Sequence, residues 1–234
     1  MAGEESGACN RDGYRDCVEI RAVIFDLWGT LIPFETERWA SAYGAMANII
    51  EVPREQFEPA WRRAYSQRLV SDLRENVEYV CDSLGVTRAD AIDEVYRLRV
   101  EMHRRSFRPR EDAASTLCEL RARGYRTGLL TNCTSEVPEL VSESPLGGLF
   151  DVEIFSCSVG MRKPERAIYE LAASGLDVDP PFCLYLGDGG DDELVGARDF
   201  GMNAVLLRPG DTQPPEDWQG PEITRLGQVL ELVG

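Results

Sequence analysis

Ala22-Val-Ile-Phe-Asp26-Leu-Trp28-Gly-Thr30-Leu31 is the stretch that decides the fold. Its short run of β-branched and aromatic residues reads as a buried strand, and it closes on a carboxylate followed by the turn residues Gly29 and Thr30. In open α/β sheets ligands bind at the carboxyl ends of the strands, so Asp26 stands where chemistry is placed. Two later stretches repeat the pattern. Tyr125-Arg-Thr-Gly-Leu-Leu130-Thr131-Asn132 is an apolar strand ending in a hydroxyl and an amide. Phe182-Cys-Leu-Tyr-Leu186-Gly187-Asp188 runs into the acidic turn Gly-Gly-Asp191-Asp192-Glu193 and then a helix. Between these two lies Lys163, the only lysine of the chain, in Val159-Gly-Met-Arg-Lys163-Pro-Glu165-Arg-Ala-Ile-Tyr169. An ammonium is a compact point charge that a planar guanidinium does not replace, so one lysine kept in an arginine-biased chain marks a required position.

Outward from these strand ends the chain divides into three parts. Residues 1–18 are small, polar and charged, and read as a flexible N-terminal extension. Residues 19–32 and 109–234 alternate strands with helices, which calls for right-handed crossovers and a parallel sheet covered on both faces. Expected strands lie at Tyr125–Leu130, Val152–Ser156, Phe182–Leu186 and Ala204–Leu207. Expected helices lie at Glu111–Arg123, Ser135–Glu143, Pro164–Ser174, Asp192–Phe200 and Ile223–Leu232. Residues 33–108 show no strand signal and carry amphipathic helical patterns at Glu37–Glu51, Arg54–Asp72, Glu75–Leu84 and Arg88–Phe107. Pro59, inside the second pattern, offers a later start for that helix. Trp39, Trp61, Val95, Leu98 and Met102 fall at helical spacing and read as packing within a bundle.

Composition narrows the function classes. A formal charge of −16 over 234 residues opposes binding to nucleic acid or anionic membranes, because like charges repel. No apolar run is long enough to span a bilayer and the N-terminus lacks a secretory pattern, so a cytoplasmic protein is expected. Seven cysteines without a Cys-x-x-Cys pair suggest neither a disulfide framework nor a zinc knuckle. Cys133, Cys157 and Cys183 read as small buried hydrophobes, and Cys9 and Cys17 as exposed thiols. With His103 the only histidine, a histidine-based triad or metal site has little to be built from.

Together and in this order, the Asp26, Thr131, Lys163 and Asp188 stretches resemble the four motifs of the haloacid dehalogenase-like (HAD) hydrolase superfamily, across roughly Ile20 to Leu207. The resemblance implies a Rossmann-like, doubly wound parallel sheet with an inserted all-helical cap over residues 33–108. It implies Asp26 as nucleophile, with Thr131 and Lys163 as catalytic partners that hold the transferred group and orient Asp26. Asn132, Trp28 and Gly29 are then expected at the substrate. Mg²⁺ is implied as cofactor, held by Asp26, the carbonyl of Trp28, Asp188 and one further acid. Asp192 fits the shorter family spacing from Asp188 and Glu193 the longer; Asp192 is taken.

One position departs from the pattern. Phosphatases of the superfamily usually carry a second aspartate two residues after the nucleophile, as general acid and base. This chain has Trp28 there, whose indole N–H is only a donor. An aromatic at this place also resembles the true 2-haloacid dehalogenases, whose halide leaves unprotonated. The acidic turn favours a Mg²⁺-dependent phosphatase acting on a small phosphorylated metabolite. The alternatives are a 2-haloacid dehalogenase-type hydrolase and a catalytically silent protein binding a ligand or partner. An acid from elsewhere, Glu35, Glu37 or His103, could stand in for the missing aspartate. Cap helices bearing Trp39 and Trp61 could pair two copies into a homodimer.

Overall fold

In the computed structural model, residues 19–34, 36–210 and 218–234 are described, with the side chains of 36–38 excepted. The expected N-terminal extension with Cys9 and Cys17, the residue Glu35 and the Glu37 side chain lie outside them.

The chain runs β1 (Ala22–Phe25), α1 (Thr36–Ile49), α2 (Arg54–Arg63), α3 (Tyr65–Arg68), α4 (Leu73–Ser83), α5 (Ala89–Ser106) and α6 (Ala113–Ala122). It continues β2 (Arg126–Thr131), α7 (Val137–Glu143), β3 (Val152–Phe155), α8 (Ser156–Val159), α9 (Arg166–Leu176) and β4 (Cys183–Gly187). It ends α10 (Glu193–Phe200), β5 (Asn203–Leu207), β6 (Glu222–Ile223) and α11 (Val229–Leu232). The strands form one six-stranded sheet in the order β3-β2-β1-β4-β5-β6, and every neighbouring pair is parallel. The order reverses at β1, which lies between β2 and β4, so the topological switch point is at Asp26 and Asp188.

Period-two alternation divides the strand side chains between two cores. Val23, Phe25, Leu129, Leu184, Leu186, Val205 and Leu207 pack on one face with Leu117 and Leu120 of α6, Val141 of α7 and Val229 of α11. Ala22, Ile24, Leu130, Tyr185, Ala204 and Leu206 pack on the other with Ile168 and Ala172 of α9 and Leu194 and Ala197 of α10. Both faces are therefore covered, as a parallel sheet requires.

Helices α1 to α5 fill the connection between β1 and α6 and have an apolar core of their own, in which Met46, Phe57, Trp61, Leu73, Val77, Val80 and Val95 are buried. The second helical pattern starts at Arg54 and takes Pro59 into its interior, then breaks at Ala64 into the single turn of α3. Asp72 caps α4 through the amides of Arg74 and Glu75, and its other oxygen accepts from Ser135, tying the insertion to the loop after β2. Arg110 ties the return: its guanidinium donates to the carbonyls of Gly29 at 2.8 Å and Thr30 at 2.6 Å. The expected terminal helix over Ile223–Leu232 is shorter. Glu222 and Ile223 instead extend the sheet as β6, and only Val229–Leu232 is α-helical. No helix among the described residues is long and apolar enough to cross a membrane.

Candidate active site

Three strand ends and one loop converge beneath the helical insertion. Asp26 follows β1, Asn132 follows β2, Asp188 follows β4, and Lys163 enters from the loop before α9. Lys163 Nζ, 2 % exposed, donates to Asp26 Oδ1 at 2.6 Å, to the Tyr185 hydroxyl at 3.0 Å and to Glu193 Oε2. An ammonium has three donors, and all three are used. Tyr185 also donates to Glu193 Oε2 at 2.7 Å, and Gly189 N donates to Glu193 Oε1 at 3.1 Å. Asn132 holds the lysine's backbone, accepting from Lys163 N at 2.8 Å and donating to its carbonyl at 3.2 Å.

Carboxylate oxygens of Asp26, Asp188 and Glu193 lie within 4.8 Å of one another. The acid beside Asp26 and Asp188 is thus Glu193, and Asp192 is exposed and outside the cluster. The reason is local. Asp191 and Asp192 both take left-handed backbone, at φ 53° and 55°, so the turn advances one residue further before α10 begins, and Glu193 is the side chain that points inward. Asp191 instead accepts from Asn132 Nδ2 at 2.8 Å and from Tyr65 of α3 at 2.9 Å, a bridge from site to insertion. Close approach also explains two glycines. A Cβ on Gly29, at φ +84°, would lie 1.9 Å from Asp188 Oδ2, and one on Gly187 would lie 2.0 Å from Glu193 Oε1.

Burial, then Glu193 and Asp188, push the Asp26 carboxyl well above its usual range, against the pull of Lys163. Asp188 is pushed up to about 6 by burial and then by Glu193. Burial opposes the charge on Lys163, but Asp26 and Glu193 more than reverse this and raise it. Three carboxyl groups face one ammonium, a formal excess of two negative charges that the raised Asp26 and Asp188 register. A hard divalent cation with oxygen ligands fits such a donor set.

The other expected residues are distributed unevenly. Trp28 lies at the cavity wall with its ring stacked on His103 at 5.3 Å and edge-on to Trp39 at 6.2 Å and Phe107 at 5.8 Å. Gly29 lies against Asp188, as above. Thr131 is fully buried and its hydroxyl reaches only the Asn132 carbonyl at 3.5 Å, while Asn132, Cys133 and Thr134 form the wall itself. His103 is buried and packs between Trp28 and Trp39. It pairs with Glu136, and burial followed by Arg99 holds it down to about 4, so its imidazole is neutral at pH 7.

The cavity, about 310 Å³, is walled on the insertion side by Trp39, Tyr43, Trp61, Arg68, Arg99 and His103. Sequence reading missed Arg68 and Arg99. For Arg99 a signal existed: it falls on the buried stripe Val95–Arg99–Met102 of α5, where a charge breaks an otherwise apolar pattern.

A doubly wound sheet whose central strand ends bring together carboxylates and a buried lysine, under an inserted helical unit, defines a class of α/β hydrolases. The chain belongs to the haloacid dehalogenase-like hydrolase family, whose profile matches residues 20–201. It is 29 % identical over 226 residues to Phosphatase MT3486 of Mycobacterium tuberculosis, covering 93 % of this chain and 100 % of that protein. It is 28 % identical over 232 residues to (S)-2-haloacid dehalogenase of Pseudomonas sp. strain YL, covering 91 % and 94 %. In fold it resembles the crystal structure of 2-haloacid dehalogenase from Pseudomonas syringae pv. Tomato DC3000, with a TM-score of 0.71 at 22 % identity over 92 % of this chain and 98 % of that one.

Proposed function

We propose that this HAD-like hydrolase is a Mg²⁺-dependent phosphatase using Asp26 as nucleophile on a small phosphorylated metabolite. The observation that carries the reading is the cluster of Asp26, Asp188 and Glu193 within 4.8 Å, with a single ammonium to balance it. Asp26, Asp188 and the Trp28 carbonyl would hold the metal, with Glu193 close to it. The metal would screen the approach of two anions to each other.

Asp26 Oδ1 is engaged by Lys163, so Oδ2 is the oxygen free of that ammonium to attack phosphorus. Attack forms an aspartyl-phosphate and releases the alcohol or acid; water then cleaves the acyl-phosphate and regenerates Asp26. Lys163 pulls Asp26 towards its ionised form, against the burial that raises it, and would balance charge on the transferred group. The Cys133 amide beside Asn132 already donates to Ser156 Oγ at 2.9 Å, so any further donor at this wall would come from the other amides around Asn132. Among the described residues no acid stands at the usual place: the Trp28 N–H is only a hydrogen-bond donor, and His103 is neutral and committed to Glu136. Substrates whose leaving group departs unprotonated, such as aryl or acyl phosphates, are therefore favoured.

Trp28 together with the Pseudomonas relative favours a second reading, displacement of halide from a 2-haloacid by the same Asp26. The test is turnover of p-nitrophenyl phosphate and acetyl phosphate with and without Mg²⁺, beside Asp26→Asn. Mg²⁺-dependent turnover lost in Asp26→Asn supports the phosphatase. Halide release from 2-chloropropionate without Mg²⁺, and no phosphate release, overturns it. Inactivity in all these assays leaves the protein a silent binder.

A further inference from the structure

The cavity is bipolar. Its floor is acidic, while its roof carries two guanidinium groups, Arg68 at the end of α3 and Arg99 on α5, 5 % and 4 % exposed. Arg68 spends one N–H on the Trp61 carbonyl at 2.9 Å and lies over the Trp61 ring at 4.4 Å. Arg99 lies over Trp39 at 4.5 Å, and its buried Nε and Nη1 have no hydrogen-bond partner. A buried donor without a partner is costly, and a buried cation more so. Cation–π contacts with Trp39 and Trp61 offset part of that cost but use no N–H.

Among the described residues, Glu136 is the carboxylate that acts on both guanidiniums, and it is already paired with His103. Two guanidiniums against one carboxylate, with His103 neutral, leave one positive charge at the roof. One missing negative charge beside guanidinium donors that have no partner describes the place of a carboxylate rather than of a dianionic phosphate.

We infer that Arg99, assisted by Arg68, is the specificity device of this enzyme and receives a carboxylate on the substrate, opposite the group that reacts at Asp26. The preferred substrate is then a small phosphorylated carboxylic acid, its phosphoryl end at the acidic floor and its carboxylate at the roof. The phosphoryl half rests on the function proposed above; the carboxylate half does not.

The test compares 3-phosphoglycerate with glycerol 1-phosphate, which differ by a carboxylate in place of a hydroxymethyl group. Binding is measured by calorimetry with Mg²⁺ on full-length Asp26→Asn, which needs no turnover, with and without Arg99→Met. Asp26→Asn is expected to bind the carboxylate ligand at least about tenfold more tightly, and Arg99→Met to bring the two ligands to parity. The melting temperature should hold or rise in Arg99→Met, because an uncompensated buried charge is removed. A packing role would instead lower it and weaken both ligands alike. Should Arg99→Met not fold, Arg68→Met is read in its place: a reduced preference supports the device, and an unchanged one overturns it. Parity already in Asp26→Asn, or a preference that survives Arg99→Met, also overturns it. If the wild type releases no phosphate but the Arg99-dependent preference stands, the phosphatase reading fails alone.

Discussion

Lys163→Met is the most informative single change, because it removes the cation that contacts Asp26 and Glu193 on the acidic floor of the cavity. Lys163 Nζ is 2.6 Å from Asp26 Oδ1 and also contacts Glu193, and these three side chains are 2 %, 6 % and 1 % exposed. Removing one partner of a buried ion pair costs about 3–5 kcal/mol, since the remaining charge is left in low dielectric. A chain of this size loses about 2–4 °C per kcal/mol, so the melting temperature at pH 7 should fall by roughly 6–20 °C in EDTA. The loss should also depend on pH in a defined direction. Asp26 already titrates well above its ordinary value of 3.8, through burial first, and without Lys163 it loses the ammonium that lowers it. A carboxyl whose folded value lies above its unfolded one gains stability as pH falls through the folded value, because the native state then takes up the proton. The deficit should therefore shrink between pH 7 and pH 5, and stop changing once the unfolded chain is protonated as well. Thermal or urea unfolding of both proteins at the two pH values checks this. A deficit under about 1 kcal/mol at pH 7, or one equal at both pH values, would refute the charge argument.

Three further outcomes follow from the site. Gly29→Ala places a Cβ 1.9 Å from Asp188 Oδ2 at φ +84°; it should cost about 1–3 kcal/mol and reduce Mg²⁺-supported kcat/KM by about 10²-fold, read by melting and steady-state kinetics. Asp188 titrates at about 6, so calorimetry should find Mg²⁺ affinity flat above pH 7 and falling towards tenfold per unit below pH 6, with proton release on binding. Trp28→Asp restores an acid two residues after the nucleophile; hydrolysis of alkyl phosphates should rise relative to p-nitrophenyl phosphate, while loss of the stack on His103 lowers the melting temperature. An unchanged alkyl-to-aryl ratio would show that leaving-group protonation is not what this chain lacks.

The sheet was readable because a strand buried on both faces must be apolar throughout, and four such runs stand out between helical segments. Asp26 and Asp188 were readable for a related reason: a charged side chain at the end of an apolar run has no packing explanation; Lys163 was readable as the only lysine of an arginine-biased chain. The choice between Asp192 and Glu193 was not, since it turns on left-handed backbone at Asp191 and Asp192, and aspartate enters that region without announcing it. Two-residue β6 is too short for any period to appear. Arg99 was hidden differently. Its stripe on α5 reads as core, and only the tertiary arrangement shows the break in that stripe opening onto the cavity.

Charge balance also separates the two chemistries. A 2-haloacid and a phosphate ester are both anions, and both meet a floor on which three carboxylates face one ammonium. A bound divalent cation removes the excess, so a metal-dependent phosphatase should lose activity as pH falls through about 6 and protons compete at Asp188. A metal-free displacement of halide has only protonation to remove it. Its rate should rise as pH falls through the same value, for as long as Asp26 stays ionised beside Lys163. The two readings thus predict opposite slopes around one titrating group. The sign of that slope, measured in EDTA for halide release and in Mg²⁺ for phosphate release, discriminates between them independently of how fast either reaction is.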